Sequence, residues 1–562
     1  MNDVLYKKQR NADLFVKMKK DLGFTKIQNY QPMFNEFFEL NESNFNSIQL
    51  KSKYYLNDMT TKKHYTTFTV VDENSKEKVT PVFIKHSPLL NPFNYLTGVL
   101  QNTNFTGLPS FPKTVELLPK LESINNAAYT ESLFVFLSSK LMLHANFLNG
   151  VEYYGSYLGL KENYSFDVYE DLEYLVNCPF FEKEKNVSFA IEDYADVFWS
   201  GENARIKQNP IFITGDDVPI SMVEVNDETE LFDGLFTLNQ NIDNDTKTLE
   251  EFEVRVDLSD EGSNVDDKNS DASSCSSRSS HTSSNISDAA SSEPSSSQTS
   301  ICSTDSVQIL ATLPIFPVNL IAMERFDETL ESLILDDQFN TNEWFACFMQ
   351  IIMSLLTYQT AFSFTHNDLH TNNIMFKPTK LKFLYYKYNK KIYKVPTYGR
   401  IFSIIDFGRS IYKYQGKVFC GDCYDKGGDA NSQYNCEPFY NEKKARIEPN
   451  YSFDLCRLGC ALFDFLIDDI DDIKKGNLSP IAKLVVDWCT DDKGMNILYK
   501  QNGEDRYPDF KLYKMISRLV HKHTPELQLN RPEFSQFIVD EVREKKAKIV
   551  NIDNLKFEMK QY

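Results

Sequence analysis

Hydrophobic positions follow two different patterns on either side of a long polar segment. Before that segment, residues 47–56, 64–71 and 79–85 are rich in Tyr, Thr, Val, Ile and Phe and are separated by polar turn clusters. This alternation predicts an antiparallel meander. Residues 125–148 follow with the apolar spacing of a helix. We therefore expect a small β-rich lobe in the amino-terminal part of the chain.

After the polar segment the pattern becomes mainly helical. Residues 319–324 are predicted to form a buried strand, and residues 342–364 carry apolar side chains at helical spacing for about six turns. Beyond Ser452, leucines recur at spacings of three and four. The expected fold class is therefore α+β, with two lobes: a small β-rich lobe that carries a large insertion, and a larger α-helical lobe.

The polar segment itself has two parts. Residues 161–258 are acidic but contain aromatic runs, so part of this stretch is able to fold locally. Residues 259–306 contain 20 serines, eight acidic and two basic residues, with almost no large apolar side chains. Burial there cannot offset the entropy lost on ordering the chain. We interpret residues 259–306 as a disordered linker.

These changes of pattern divide the chain into seven stretches. They are an N-terminal extension (1–46), the first part of the small lobe (47–160), the acidic insertion (161–258), the serine-rich linker (259–306), the strand and hinge that complete the small lobe (307–326), the large lobe (327–545) and a charged tail (546–562).

The net charge and its distribution along the chain exclude some classes of function. The net charge of −20 argues against a general binder of phosphate backbones, so nucleic acid is not indicated as a partner. The acidity is local, because residues 161–306 hold 32 acidic and nine basic side chains, whereas the rest of the chain holds 48 and 51. The start of the sequence lacks a secretory signal, and no run approaches the ~20 apolar residues that span a bilayer. We expect a soluble, cytoplasmic protein without a membrane span.

Ten cysteines are ordinary usage for a reducing compartment. Cys420 and Cys423, with Cys436 nearby, are the cysteines that hint at a metal site. A structural zinc site needs four ligands. We therefore expect free thiols at these positions.

The most specific chemical signal begins where the long predicted helix ends. His366, Asp368 and Asn373 have the spacing found in a protein-kinase catalytic loop. In that interpretation Asp368 accepts the proton of an attacking hydroxyl, and the side-chain oxygen of Asn373 is a ligand for Mg²⁺.

Two further motifs follow in the order that a kinase requires. Asp406 ends a short β-branched strand and is followed by Phe and Gly408, so its carboxylate is placed to hold Mg²⁺ against the nucleotide phosphates. Asp454, in a later helix, resembles the buried kinase aspartate that braces the catalytic loop by accepting backbone N–H bonds. The three motifs together predict a protein-kinase-like fold.

The same resemblance assigns residues of the amino-terminal half. Lys85 ends a strand similar to the one whose lysine contacts the α- and β-phosphates of ATP. Glu131 is the acidic residue of the predicted helix 125–148 and is the expected partner of Lys85. The resemblance further implies that Met323 is the gatekeeper of an adenine pocket, and that Glu324 to Phe326 offer backbone hydrogen bonds to adenine.

Taken together, the motifs resemble the divergent serine/threonine protein kinases encoded by large nucleocytoplasmic DNA viruses. The resemblance covers roughly residues 35–160 and 315–540. It includes stretches 83–92, 428–435, 449–457 and 506–513. It implies phosphorylation of protein serine or threonine with ATP and Mg²⁺, or Mn²⁺ in its place, in the host cytoplasm or the virion. The serine-rich stretch 259–306 is then a candidate for autophosphorylation.

Several departures from the kinase pattern are evident. No glycine lies between Phe24 and Lys85, so the usual Gly-rich loop over the phosphates is absent, and residues 57–63 are expected to form the corresponding hairpin. Asn367 stands where kinases usually have the arginine that binds a phosphorylated activation segment, so activity is not expected to depend on phosphorylation there. Glu448 is expected to pair with Arg531.

His370 raises the question of the acceptor, because serine/threonine kinases usually have lysine at this position. Kinases of choline and aminoglycosides also use a His-x-Asp loop with a nearby Asn, so a small-molecule kinase is one alternative. The long segment 409–450 favours a protein substrate instead. A pseudokinase that only binds partners is the other alternative, although Lys85, Asp368, Asn373 and Asp406 are all present.

Overall fold

The computed structural model describes residues 6–8, 11–62, 65–113, 115–194, 308–336, 339–467, 469–544 and 547–555. The serine-rich stretch, with its predicted disorder, and most of the acidic insertion lie outside these residues. So does the turn of the hairpin expected over the phosphates. The described chain is a mixed α+β protein built from several small sheets and helices.

The strands are numbered in chain order. Before the gap at residue 195 they are β1 (Tyr6–Lys8), β2 (Phe24–Gln28), β3 (Ile48–Leu50), β4 (Tyr54–Lys62), β5 (Tyr65–Asp72), β6 (Glu77–Thr80), β7 (Val82–Pro88), β8 (Tyr153–Asp167) and β9 (Ala190–Ile191). After the gap they are β10 (Leu310–Glu324), β11 (Glu328–Thr329), β12 (Ile374–Pro378), β13 (Phe383–Tyr388), β14 (Lys391–Pro396), β15 (Arg400–Ile404), β16 (Ile411–Tyr414), β17 (Lys417–Cys420), β18 (Ile538–Val539) and β19 (Ile549–Asn551).

The α-helices are numbered in the same way. They are α1 (Ala12–Leu22), α2 (Phe93–Leu96), α3 (Pro119–Glu122), α4 (Ala127–Ala145), α5 (Leu172–Val176), α6 (Pro179–Glu184), α7 (Leu330–Leu335), α8 (Thr341–Phe362), α9 (Phe453–Leu466), α10 (Ile470–Lys475), α11 (Pro480–Trp488), α12 (Lys511–Leu519), α13 (Pro525–Gln528) and α14 (Pro532–Ser535).

Two sheets form the β-rich part. One has the order β2-β8-β10-β7, with β9 added on β10, and the other has the order β4-β5-β6. The predicted meander is therefore divided between two sheets. A strand predicted over 79–85 is interrupted at Pro81, because proline has no N–H to give to a ladder.

The long antiparallel pair β8 and β10 is the centre of the first sheet. Leu310 pairs with Asp167 at one end, and Met323 pairs with Tyr153 at the other. The boundary predicted between residues 160 and 161 is corrected by this pairing, since it falls inside β8. Near the gap, β9 pairs with β10, and Glu192 N–H donates to Leu310 O at 3.0 Å. The chain therefore leaves and re-enters the described fold at neighbouring positions.

Helices α4 and α8 are the main buried helices. Asn126 caps α4 by accepting the Ala128 N–H at 3.0 Å, while Asn340 and Glu343 form a reciprocal capping box at the start of α8. By length and composition α8 is apolar enough to cross a membrane, but 94% of its most apolar window is buried inside the protein, as in the core helix of a soluble protein.

Cys420, Cys423 and Cys436 are free thiols, as the sequence predicts. Cys420 and Cys436 lie in a small apolar cluster with Ile411 and Tyr424. Across the part of the chain that the structure describes, no group of three or more His, Cys, Asp or Glu side chains is arranged to hold a metal ion. These thiols therefore contribute to packing.

Candidate functional site

A buried lysine between two carboxylates is the first part of the candidate site. Lys85 Nζ lies 2.5 Å from Glu131 Oε1 and 2.9 Å from Asp406 Oδ1. Ser87 Oγ donates to the other oxygen of Glu131 at 2.7 Å. Burial alone would lower the pKa of Lys85, but Asp406 and Glu131 raise it above its ordinary value. The sequence-predicted pair of Lys85 and Glu131 is thus in direct contact, and Asp406 joins it.

Packing explains why these three groups meet. Lys85 lies on β7 opposite Ile321 of β10, so the sheet fixes its direction. On α4, one turn after Glu131, Phe134 lies with its ring 4.7 Å from that of Phe407, the residue after Asp406. Both phenylalanines are fully buried. The aromatic contact therefore orients α4 and the start of the segment after Asp406 together.

Hydrogen bonds to the carboxylate of Asp454 hold the loop that carries Asp368. The Asp454 carboxylate accepts the N–H groups of His366 at 2.9 Å and Asn367 at 2.8 Å. This is the brace that the sequence predicts for Asp454. The ring of His366 also bonds to Ile405 O at 2.8 Å, which joins the loop to the strand before Asp406. Such buried, charge-assisted bonds give the loop one conformation.

The carboxylate of Asp368 is in contact with residues to which the sequence motifs assign no role. Tyr513 Oη donates to Oδ1 at 2.7 Å, and Arg409 Nε lies 3.8 Å from Oδ2. Burial would raise the pKa of Asp368, but Arg409, His370, Arg457 and the Tyr513 hydroxyl lower it below its ordinary value. Asp368 is therefore ionised near neutral pH and able to accept a proton.

Asn373 and Asp406 provide the oxygens that suit a magnesium ion. Asn373 uses its amide nitrogen to bond Asp368 O and the His370 ring, both at 3.0 Å, which turns its amide oxygen the other way. Lys85 holds the pKa of Asp406 at about 2 against the effect of burial, so this carboxylate is ionised. Carboxylate and amide oxygens are ligands that Mg²⁺ accepts, usually together with substrate phosphates. The donor set fits the predicted metal.

Two residues of the site have left-handed backbone conformations. Asp406 has φ 59° and Asn367 has φ 65°. Asp and Asn tolerate this region better than most residues, but it still carries a cost. Both residues are fixed by several hydrogen bonds, as expected where the surrounding structure imposes a local conformation.

His370 does not supply the positive charge that a lysine would. Burial lowers its pKa to about 4, despite the nearby Asp368 carboxylate. The imidazole is therefore neutral near pH 7, and its Nε2 is paired with the Asn373 amide. A positive charge near Asp368 comes instead from Arg409, whose Nε lies 3.8 Å from Asp368 Oδ2 and whose Nη2 lies 2.6 Å from Asp429 Oδ2.

The predicted adenine-binding stretch lies at the end of β10. Met323 is buried and lies opposite Phe83 of β7. The N–H of Glu324 is already bonded to Glu152 O at 3.0 Å, and its carboxylate pairs with Lys377 at 2.9 Å. The Glu324 N–H is therefore not available to adenine. Hydrogen bonds to adenine from the carbonyl of Glu324 and the backbone of Phe326 stay a prediction.

Asn367, which stands where kinases usually have an arginine, links the Asp368 loop to the segment after Asp406. Its side chain accepts from Tyr434 Oη at 2.7 Å and donates to Arg409 O at 3.1 Å, so neutral groups attach the later segment to the loop. The prediction of an ion pair between Glu448 and Arg531 is wrong. Glu448 instead contacts Arg446, and Arg531 pairs with Asp487 at 2.5 Å, because these partners are nearer in the folded chain.

Comparisons with known proteins give local matches. No protein-family model matches the chain. The serine/threonine-protein kinase haspin of Mus musculus is 40% identical over 72 residues, which are 13% of this chain and 10% of haspin. Haspin of Bos taurus is 40% identical over the same length, covering 13% of this chain and 9% of that protein.

A viral protein matches over a longer stretch. Uncharacterized protein 098R of Invertebrate iridescent virus 6 is 28% identical over 196 residues, or 33% of this chain and 29% of the viral protein. The chain therefore spans three tenths or less of the length of these curated relatives. Over these stretches it is similar to a serine/threonine-protein kinase and to a viral protein.

Proposed function

We propose that the protein has a two-lobed kinase-like fold and transfers the γ-phosphoryl group of ATP to serine or threonine hydroxyls of proteins. The observation that carries the proposal is the contact of Lys85 with both Glu131 and Asp406, next to the loop that Asp454 fixes. A lysine bound to a helix glutamate and a magnesium-binding aspartate is the arrangement that phosphoryl transfer needs. The local similarity to haspin supports the same reaction.

Each residue then has a role that its chemistry allows. Lys85 positions the α- and β-phosphates, while Asn373 and Asp406 would hold magnesium, which supplies positive charge against the transferring group. Asp368 orients the acceptor hydroxyl and takes its proton. The new bond joins that oxygen to the γ-phosphorus, and the bond from this phosphorus to the β,γ-bridging oxygen breaks, which releases ADP.

The experiment uses labelled ATP and Mg²⁺ with acidic proteins, basic proteins, small alcohols and amines as acceptors. We expect label on serine or threonine of proteins, and a loss of about 10²-fold or more in kcat for Asp368→Asn with nucleotide affinity retained. Asp464→Asn is the matched control, because Asp464 accepts a tyrosine hydroxyl at 2.8 Å outside the site.

Three results would contradict the proposal. Transfer to small alcohols or amines alone would favour the small-molecule kinase. Nucleotide binding without transfer to any acceptor would favour a pseudokinase. An Asp368→Asn variant with the parental rate would remove Asp368 from the mechanism. Mass spectrometry of the same reactions also tests the proposed autophosphorylation of stretch 259–306.

A further inference from the structure

The two oxygens of the Asp368 carboxylate have different surroundings. Oδ1 accepts a short hydrogen bond from Tyr513 Oη at 2.7 Å, whereas the group near Oδ2 is Arg409 Nε at 3.8 Å. Only 8% of the Asp368 side chain is exposed. One oxygen is therefore fixed by a direct donor, and the other experiences a positive charge at longer range.

Tyr513 is itself held in place by its neighbours. It lies on α12, and its ring stacks on Phe510 with centroids 5.3 Å apart and an interplanar angle of 16°. Its hydroxyl oxygen accepts from Arg457 Nε at 2.9 Å. Because one lone pair is used in this way, the hydroxyl proton points to Asp368. Arg457, Tyr513 and Asp368 thus form a chain of hydrogen bonds.

A tyrosine hydroxyl at this distance from a proposed proton acceptor resembles a bound substrate. Two features argue against Tyr513 as an internal acceptor. Tyr513 is only 6% exposed and its ring is stacked, so it cannot move to a nucleotide, and its oxygen already accepts a hydrogen bond from Arg457. Burial also raises the pKa of Tyr513 to about 12, so the phenol keeps its proton and acts as a donor.

We infer that Tyr513 is a positioning residue, whose hydroxyl fixes Oδ1 of Asp368 and leaves Oδ2 as the oxygen that receives the proton of the acceptor. The inference rests on the proposed function. The terminal torsion of an aspartate is broad and roughly two-fold, so an unrestrained carboxylate samples many orientations. A donor on one oxygen selects one of them. A residue 145 positions later in the chain thereby sets the geometry of the transfer step.

The first test is Tyr513→Phe, which removes the hydroxyl and keeps the ring. We expect kcat to fall about 10-fold, the order associated with one hydrogen bond to a charged group, while KM for ATP stays unchanged. Tyr499→Phe is the matched control, because Tyr499 donates the same kind of bond to Asp464 at 2.8 Å on the surface. It should retain the parental kcat.

A double-mutant cycle separates positioning from a general structural effect. If Tyr513 acts through Asp368, then Tyr513→Phe should cause no further loss in single-turnover rate once Asp368 is replaced by Asn. A purely structural role would lower the rate by the same factor in both backgrounds, and would overturn the inference. Arg457→Gln, which leaves Tyr513 in place, should lower kcat in the same direction by a smaller factor.

The outcomes also distinguish the two proposals. If the parental protein transfers no phosphate to any acceptor, both proposals fall. If the parental protein is active and Tyr513→Phe has its kcat, or if phosphate is found on Tyr513 after incubation with ATP, the inference alone falls. Should Tyr513→Phe fail to unfold cooperatively in urea, Arg457→Gln decides, and a parental kcat for that variant overturns the inference.

Discussion

Lys85 carries one positive charge between two carboxylates, in a place where only 8% of its side chain is exposed. The group of Lys85, Glu131 and Asp406 therefore has one negative charge in excess. The positive charge of a magnesium ion would offset this excess. Without the lysine, the buried Glu131 carboxylate and the partly buried Asp406 carboxylate would lose the positive charge that pairs them, which is costly for buried charges.

Replacing Lys85 by Met should accordingly destabilise the protein as well as abolish transfer. We expect the free energy of unfolding in urea to fall by about 3–5 kcal/mol, because the variant leaves an uncompensated buried charge. Adding Glu131→Gln should restore part of that loss, since it removes one of the two carboxylate charges. Lys183→Met is the control, because Lys183 is 80% exposed and its ion pair is at the surface. A loss below about 1 kcal/mol for Lys85→Met would contradict the argument.

At the scale of elements, Asp422 connects the segment after Asp406 to helix α4. Its carboxylate accepts the Ala127 N–H at 3.2 Å in the first turn of α4 and lies 3.2 Å from Lys120 Nζ. A fixed carboxylate thus occupies a place near the helix start where negative charge is favourable. Since α4 carries Glu131, this contact helps to hold the helix against Lys85.

The proposed kinase should therefore be active without phosphorylation of this segment. Phosphatase treatment should leave the transfer rate unchanged. Asp422→Ala should lower kcat/KM by about 5- to 10-fold, because a partly buried charge-assisted contact to α4 is lost. Asp425→Ala, at an exposed neighbouring position, serves as the control. A rate that falls on phosphatase treatment would show that the fixed contacts are insufficient.

Sequence patterns predicted some elements well and others poorly, for identifiable reasons. The predicted helix 342–364 corresponds closely to α8, since its apolar spacing is uninterrupted. By contrast, β10 begins at Leu310, whereas the sequence predicts a strand only from residue 319. The first part is missed because Pro314 and Pro317 argue against a strand interior. Both prolines lie in the first part of β10, where the ladder with β8 tolerates them.

In the candidate site, too, the sequence predicts the role of some residues and not of others. Asp368, Asn373 and Asp406 lie on short segments whose spacing is visible in the sequence. No role of Tyr513 or Arg409 is predicted from the sequence, because their contacts with Asp368 depend on packing between distant segments, for which spacing gives no signal. A buried polar side chain with a carboxylate partner becomes recognisable once the fold is known.

At the scale of the whole molecule, the chain just before residue 195 lies beside the chain just after residue 307. Ile191 pairs with Ala311, and Leu310 N–H donates to Glu192 Oε2 at 2.9 Å. Residues 195–307 hold 23 acidic and six basic side chains, which accounts for most of the net charge of −20. The pairing of β9 with β10 thus joins the chain before residue 195 to the chain after residue 307.

Replacing residues 195–307 with a short Gly/Ser linker should therefore preserve the described fold. The strand pairs on both sides remain intact, and the closure entropy of a shorter loop is no greater. We expect cooperative urea unfolding with a midpoint at or above that of the full chain, and the phosphate-transfer rate towards proteins retained. Loss of cooperative unfolding would show that the replaced residues contribute to the core.

The pairing of β8 with β10 has a further consequence for how the molecule can be assembled. Hydrogen bonds and packing align these strands from Leu310 to Met323, so the covalent connection through residues 195–307 is not what sets their register. If the chain is divided into two polypeptides, one ending at residue 194 and the other beginning at residue 308, the first holds β7 and β8 and the second holds β10, which lies between them. Cleavage within the intervening residues would then leave two fragments that the hydrogen bonds of β10 with β7 and β8 hold together.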